Sequence, residues 1–269
     1  MKKRMLGFLM AFTLANSVLL AGCGGKNSSS SNDDLLSQIQ AKGKIVIAME
    51  GQWAPWTYHD ETGDLVGFDT EVGKAIAEKL GVEAEFVEGE WDGLFAGLDV
   101  GRYDAIINGV EITDERSQKY EFTTPYAYIK TALVVKGDNN DISSFEDLSG
   151  KKTSNSLGST YADLAADYGA SVENVDTLAE TIDMILSGRS DATLNAEVSF
   201  YDYLKEHPDA DIKVVALTED ASKVSIPIRK EENTKTLIEA INKAIDELSA
   251  DGTLTELSNK YFGSDISQK

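Results

Sequence analysis

Glu111 and Arg116 are the residues whose types and spacing first indicate chemistry. They lie five positions apart in the stretch INGVEITDER (107–116), directly after a short apolar segment. A guanidinium is a planar fork that can bind a carboxylate through two parallel hydrogen bonds, and a carboxylate can bind an ammonium. The pair would therefore suit a ligand that carries both groups on one carbon. The alternative is an exposed helix start with a local ion pair.

A helix start further along the chain is a second candidate for binding an anion. The run Leu-Gly-Ser-Thr (157–160) leads from a strand into a helix predicted over residues 161–168. Glycine permits the turn, a hydroxyl caps the helix, and the free N–H groups of the first turn point at an anion. Such caps are common, so this signal is weak alone. Together with Arg116 it predicts that Ser159 and Thr160 help to hold a carboxylate.

The three tryptophans of the chain all lie at the ends of predicted elements. Trp53 and Trp56 follow the first strand in the segment EGQWAPW (50–56), which begins at Glu50, and Trp91 opens a helix. Aromatic rings in such positions often form the walls of a binding site. Core packing is the alternative, and it applies more to Trp56 than to Trp53.

An internal repeat indicates how these residues are positioned. Residues 101–108 read GRYDAIIN and residues 188–195 read GRSDATLN. Each copy follows a helical pattern of apolar residues, so a helix that ends at Gly-Arg and leads into a short strand occurs twice. The first strand is followed by Asn108, Gly109 and Glu111, and the second ends in Asn195, Ala196 and Glu197.

The remaining elements alternate between strands and helices, which implies mostly parallel sheets covered on both faces. Asp69 is predicted to cap the helix that ends at Gly81, and the strand over residues 151–156 is unusually polar. In open α/β sheets, ligands bind outside the carboxyl ends of the strands. We therefore predict two related α/β lobes whose facing strand ends line one cleft.

The N-terminus predicts export and a lipid anchor. Three basic residues precede an apolar run and the sequence Leu-Ala-Gly-Cys (20–23), which is typical of a secretory signal and resembles a bacterial lipobox. Cys23 is the only cysteine, and two acyl chains on it would anchor the protein stably. We predict a signal peptide over residues 1–22, a lipidated Cys23 with a flexible tether over residues 23–43, and a location on the extracytoplasmic face of the cell membrane. A buried N-terminal helix is the alternative.

Charge and composition exclude several classes of function. The net charge is −21 and becomes −24 once the three positive charges of residues 1–22 are removed, which argues against binding nucleic acid or anionic lipid through the surface. The only histidines are His59 and His207, so no metal cluster or histidine-paired nucleophile is indicated. The sequence also has no phosphate-binding loop. We predict no metal, no cofactor and no catalytic residue.

Four stretches resemble the polar amino acid solute-binding proteins of ABC transporters. They occur in order over residues 35–263 and read GFDTEVGKAIAEKLG (67–81), ITDERSQKYEFTTPY (112–126), DISSFEDLSGKK (141–152) and ADGTLTELSNKYFG (250–263). The resemblance implies a type II periplasmic-binding-protein fold, with two α/β lobes joined by two crossing strands and closed by the ligand. It also implies delivery of a free amino acid to an ABC permease and its ATPase. We expect a monomer.

The same resemblance gives boundaries for the two lobes. Lobe 1 is expected to contain residues 44–128 and 227–263, and lobe 2 residues 129–226. The crossing segments are expected to include residues 128–131 and 224–227.

By the same resemblance, Arg116 holds the ligand's α-carboxylate and Thr160 contacts that group from the second lobe. The resemblance also implies that Trp53 and Trp91 form walls of the binding site and that Glu50 lies near the ligand's side chain. Gly109 and Glu111 match positions that contact the ligand.

The chain departs from the family at the acid that usually binds the α-ammonium. That acid would fall on Ala196, while Glu111 stands where serine or threonine is more common. We predict that Glu111 takes over the ammonium, with Glu197 as a second candidate.

The ligand is predicted to be a polar amino acid, because the segment over residues 107–126 looks closest to cystine binders. A cationic amino acid is the second choice, since Glu50, Glu111 and two tryptophans would suit it through ion pairing and cation–π contact. Two other classes stay open. One is a dehydratase-type enzyme on the same fold, with Glu111 or Glu197 as its acid; the other is a ligand-sensing module.

Overall fold

The computed structural model describes residues 34–269. The predicted signal peptide and Cys23 lie outside the described residues. The α-helices are α1 (Leu35–Lys42), α2 (Phe68–Leu80), α3 (Trp91–Asp99), α4 (Asp114–Lys119), α5 (Thr160–Asp167), α6 (Leu178–Leu186), α7 (Glu197–Glu206), α8 (Lys235–Ala250) and α9 (Thr253–Phe262). The strands are β1 (Lys44–Met49), β2 (Gln52–Trp53), β3 (Thr57–His59), β4 (Leu65–Val66), β5 (Glu83–Glu88), β6 (Ala105–Ile106), β7 (Tyr120–Phe122), β8 (Ala127–Ile129), β9 (Thr131–Lys136), β10 (Lys152–Asn155), β11 (Ser171–Asn174), β12 (Ala192–Ala196), β13 (Ile212–Leu217), β14 (Ser222–Val224) and β15 (Pro227–Arg229).

The first lobe is built on a parallel sheet with strand order β5-β1-β6. β1 pairs with β5 from Lys44 opposite Glu83 to Met49 opposite Glu88, so the carboxyl ends of these strands lie at one edge. The small antiparallel sheet β2-β3-β4 follows β1 directly. Helices α8 and α9 return from the end of the chain and pack on α2. The α8 stripe from Leu237 to Leu248 is buried, as its helical spacing predicts.

The second lobe is built on a sheet with strand order β11-β10-β12-β9-β13. β10 runs parallel to β11 and β12, whereas β9 is antiparallel to both of its neighbours. Parallel strands connected through helices bring the ends of β10 and β12 to the same edge of the sheet. The predicted α/β class is confirmed.

Two antiparallel strand pairs connect the lobes. β7 pairs with β15, and β8 pairs with β14. The chain leaves the first lobe through β7 and β8 and returns through β14 and β15, so it crosses between the lobes twice.

The two repeat copies adopt the same local structure. Gly101 and Gly188 each end a helix with φ at 71°, in the left-handed region that glycine enters without a steric cost. The following Asp104 carboxylate accepts a hydrogen bond from the N–H of Val46 at 2.9 Å, and the equivalent Asp191 accepts from Lys152 at 2.8 Å. Each copy thus ties its turn to the first residues of a neighbouring strand.

Asp69 does not cap its helix, contrary to the sequence prediction. The helix already begins at Phe68, after Gly67 at φ 126°. An added Cβ at Gly67 would lie 2.2 Å from the Trp56 carbonyl oxygen, so the chain is too close there for any other residue. The Asp69 side chain is instead fully buried and turned toward the first crossing segment.

Within the described part of the chain, no helix is both long and apolar enough to cross a membrane. The same residues contain no group of three or more His, Cys, Asp or Glu side chains that could hold a metal ion.

Candidate ligand-binding cleft

A cleft between the two lobes encloses about 590 Å³, including its open mouth. It lies where the ends of β1 and β6 in one lobe face the ends of β10 and β12 in the other. Its lining residues are Glu50, Gln52, Trp53, Trp91, Gly109, Glu111, Arg116, Asn155, Ser156, Ser159, Thr160, Tyr161, Asp176, Thr177, Leu178, Thr181 and Asn195.

Arg116 lies in α4 and reaches across to the second lobe. One terminal nitrogen donates to the backbone oxygen of Glu111, and the other donates to that of Gly158, both at 3.0 Å. The guanidinium lies over the rings of Trp91 and Phe95, at 5.2 and 5.5 Å from their centroids. Burial lowers the pKa of Arg116, and Glu111 opposes that shift, but an arginine stays charged at any physiological pH. The site therefore holds a fixed cation on an aromatic support.

Glu111 is 5% exposed and lies beside Arg116. Its Oε1 atom accepts a hydrogen bond from the Thr160 hydroxyl, across the cleft, at 2.8 Å. Burial raises the pKa of the neighbouring Tyr161 well above its usual range, and the charge of Glu111 adds to that shift. Because carboxylate oxygens accept more than one hydrogen bond, Glu111 can also take an ammonium from a ligand.

Gly109 and Trp53 form a close wall of the cleft. Gly109 has φ at 58°, and an added Cβ would lie 2.6 Å from the Trp53 ring, so glycine is needed there. The Gly109 N–H donates to Asp69 at 2.5 Å, and the Tyr126 hydroxyl donates to the other oxygen of Asp69 at 2.7 Å. Trp53 stacks on Trp56 with ring centroids 5.2 Å apart. Asp69 thus fixes the backbone against which the ring packs.

Glu50 lies at the end of β1 and is held by Asn108. The Asn108 amide donates to the Glu50 carboxylate at 2.6 Å, and its oxygen accepts from the Glu50 N–H at 2.8 Å. Burial raises the pKa of Glu50 to about 7, and repulsion from Glu90 and Asp176 adds to this shift, against the effect of Asn108. Glu50 therefore carries a proton part of the time near neutral pH.

The second lobe contributes its polar strand β10. Thr153, Ser154 and Asn155 are buried, and Asn155 reaches the cleft at the end of the strand. Its amide nitrogen donates to the Leu194 oxygen at 2.6 Å, which ties β10 to β12. Next along the chain, the Ser159 hydroxyl accepts from the Ala162 N–H at 3.1 Å and caps α5. The hydroxyl cap predicted from the sequence is present.

Nine of the eleven ligand-contacting residues predicted from the sequence line the cleft, and Asn108 and Glu197 do not. Asn108 lies fully buried behind Glu50, so it positions that side chain instead of facing the ligand. Glu197 begins α7, one position beyond the fully buried Ala196, and successive helical residues point about 100° apart. Glu197 is thus absent from the lining, and its role as the second candidate for the ammonium stays a prediction.

Several lining residues were not predicted from the sequence. They are Gln52, Asn155, Ser156, Tyr161, Asp176, Thr177, Leu178 and Thr181. The polar character of the strand over residues 151–156 was a signal for Asn155 and Ser156, because a buried strand in an α/β lobe is normally apolar.

Among the described residues, three hydrogen bonds made by side chains join the two lobes outside the crossing strands. Two are the Arg116–Gly158 and Glu111–Thr160 bonds. The third runs from the Trp56 indole N–H to the Ser199 hydroxyl at 3.1 Å, between two fully buried residues. The two lobes are therefore closed over the cleft in this structure.

Fold and cleft together define a two-lobed solute-binding protein. Residues 45–264 match the model of the bacterial extracellular solute-binding proteins, family 3, and the chain belongs to that family.

Individual relatives are binding proteins for amino acids. The chain is 38% identical to the L-cystine-binding protein TcyA of Bacillus subtilis, with all of both chains covered. It is 35% identical to the L-cystine-binding protein TcyJ of Escherichia coli strain K12, with 93% of each chain covered. These names describe binding proteins and not enzymes.

Solved structures agree on the type II fold. An ancestral arginine-binding protein bound to arginine is 38% identical, with a TM-score of 0.76, 82% of this chain covered and 99% of that one. The L-cystine solute receptor of Neisseria gonorrhoeae, unliganded and open, is 40% identical, with a TM-score of 0.59, 87% of this chain covered and 99% of that one. At similar identity, the ligand-bound structure superposes better, in line with the closed form seen here.

Proposed function

We propose that this protein captures a polar amino acid by closure of its lobes and delivers it to an ABC importer. A cystine-like ligand is the first choice and a cationic amino acid the second. The observation that carries the proposal is the position of Arg116 and Glu111 together in the lining of the cleft, because these two charges match the carboxylate and ammonium of an amino acid.

Arg116 is suited to hold the α-carboxylate. Two of its N–H groups already donate to backbone oxygens, which fixes the guanidinium and leaves its remaining N–H groups available to a ligand. The N-terminus of α5 lies on the opposite lobe and favours a negative charge. We assign the carboxylate to Arg116 with Ser159 and Thr160.

Glu111 is suited to hold the α-ammonium. It lines the cleft and is already oriented by the Thr160 hydroxyl. Ala196, where the family usually places an acid, is fully buried and outside the lining. We assign the ammonium to Glu111, and Trp53 and Trp91 to the walls around the side chain.

A thermal-shift screen against the common amino acids plus cystine tests the function. A ligand at 100 times its dissociation constant should stabilise the protein by about 2.7 kcal/mol. The control is the Arg116→Ala variant, which should lose the shift. If no amino acid raises the melting temperature of the wild type, capture of an amino acid is contradicted.

The lipid anchor is also part of the proposal. Cys23→Ala should leave the protein released or unprocessed, because no other residue can form the thioether. Fractionation of cells expressing each form would show this. A variant that has lost its signal peptide and still remains with the membrane would contradict the anchor.

A further inference from the structure

The two strand pairs that connect the lobes are separated by stretches outside any strand. β7 and β15 lie on the side of the first lobe, where β15 contacts β6. β8 and β14 lie on the side of the second lobe, and β9 follows β8 after one residue. Residues 123–126 and 225–226 lie between the two pairs. Because lobe movements are absorbed by a few loop or element-terminal residues, we place the pivot in these two stretches.

A third segment reaches across this pivot from the first lobe. After α9 the chain turns at Gly263, and the Ile266 carbonyl oxygen accepts a hydrogen bond from the Tyr128 N–H at 2.7 Å. Tyr128 is the central residue of β8, and the other edge of that strand pairs with β14. The bond therefore joins a segment that follows a helix of the first lobe to the crossing strand beside the second lobe.

Side chains hold this segment in place. One Asp265 oxygen accepts hydrogen bonds from the N–H and the hydroxyl of Ser267 at 2.9 and 2.6 Å, and the other accepts from the Thr255 hydroxyl of α9 at 2.9 Å. Ile266 is 7% exposed and belongs to the same buried apolar cluster as Ile129 of β8. The segment is thus fastened to α9 at one end and bonded to β8 at the other.

We propose that residues 263–267 act as a strap across the pivot that stabilises the closed arrangement of the lobes. The strap is fastened to α9, whereas β8 lies beyond the pivot, so opening of the lobes changes the distance between Ile266 and Tyr128. Their hydrogen bond is made in the closed form and must lengthen or break on opening. The inference rests on the lobe movement in the proposed function but not on the identity of the ligand.

Asp265→Ala tests the strap, because it removes the bonds to Ser267 and Thr255 at an exposed position outside the cleft lining. Thr255→Ala is a milder second variant that removes only the bond to α9. The matched control is Asp251→Ala, at the start of α9. The Asp251 carboxylate accepts from the N–H and the hydroxyl of Thr253 at 3.0 and 2.6 Å, in the same kind of turn.

Two measurements on the ligand-free protein check the strap. The Tyr128 amide should exchange its hydrogen about tenfold faster in Asp265→Ala and about threefold faster in Thr255→Ala than in wild type, because its acceptor is held less firmly. Small-angle X-ray scattering should show a radius of gyration that increases in the same order, because less of the protein is closed. Asp251→Ala should match the wild type in both measurements.

Two results would overturn the inference. If Asp265→Ala leaves the exchange of the Tyr128 amide as in wild type, or Asp251→Ala accelerates it equally, the segment does not hold β8. If the exchange accelerates while the radius of gyration stays constant, the bond does not favour closure. Neither measurement needs a ligand, so both failures are distinct from a failed thermal-shift screen, which would contradict the capture of an amino acid.

Discussion

The two lobes present different chemistry to the same cleft. The first lobe supplies the tryptophans Trp53 and Trp91 and the charges of Glu50, Glu111 and Arg116. The second lobe supplies mainly neutral polar groups, which are Asn155, Ser156, Ser159, Thr160, Thr177, Thr181 and Asn195, and a single acid, Asp176. The division indicates that the first lobe discriminates ligands by charge and the second completes their hydrogen bonds.

The energies of the two kinds of contact differ accordingly. A hydrogen bond between neutral groups contributes about 0.5–1.5 kcal/mol, whereas one with a charged partner contributes about 1.5–3 kcal/mol. Substitutions in the first lobe should therefore weaken binding more than those in the second.

Arg116→Ala should have the largest effect. Removing one partner of a buried charge pair costs about 3–5 kcal/mol, which corresponds to a loss of binding of at least a hundredfold at about 1.4 kcal/mol per tenfold. Calorimetry would measure it. The matched control is Arg189→Ala, because Arg189 lies in the repeat copy of the second lobe and is exposed. Equal losses in both variants would contradict the assigned role.

Glu111→Gln should have the next largest effect. The substitution keeps the shape of the side chain and its bond to Thr160 but removes the charge that faces the ammonium. We expect a loss of about tenfold to a hundredfold, as for a charge-assisted hydrogen bond. Glu115→Gln, four residues further along and exposed, serves as the control. Unchanged affinity in Glu111→Gln would mean that another group binds the ammonium.

Thr160→Val tests the contribution of the second lobe. The variant loses the hydroxyl that donates to Glu111 while keeping the branched shape. We expect a loss of about threefold to tenfold in affinity, which is smaller than for either charge in the first lobe. If Thr160→Val weakened binding as much as Arg116→Ala, the proposed division between the lobes would be wrong.

The pH dependence of binding tests the role of Glu50. Burial first, then the carboxylates of Glu90 and Asp176, raise the pKa of Glu50 to about 7, while its hydrogen bond from Asn108 lowers it. A ligand with a cationic side chain, the second choice above, binds the ionised form of Glu50, so its affinity should fall as pH decreases below about 7, by at most tenfold per pH unit. Titrations between pH 5.5 and 8 on wild type and Glu50→Gln would show it, since the variant should have a flatter profile. An identical profile in both proteins would exclude Glu50 as the titrating group.

Residues that follow strand ends could be predicted from the sequence, whereas partners from distant segments could not. Glu111, Arg116, Ser159 and Thr160 come directly after an apolar strand or a glycine turn, and this local pattern indicates their place. Asp176 approaches Glu50 only because two lobes face each other, and no local pattern encodes that approach.

The local pattern also misplaced one side chain. Asp69 looked like a helix cap, yet the close approach at Gly67 starts the helix earlier and frees its carboxylate for Gly109 and Tyr126. A tertiary contact decided this case.

The bond between Trp56 and Ser199 has a consequence for the speed of capture. It holds the lobes together through two residues that do not line the cleft, so it stabilises the closed form whether or not the cleft is filled. A bias of this kind raises equilibrium affinity, since less of the ligand's binding energy is needed for closure. It also reduces the fraction of molecules whose cleft is open to an arriving ligand. The protein would hold its ligand for longer and take it up more slowly than one without this bond.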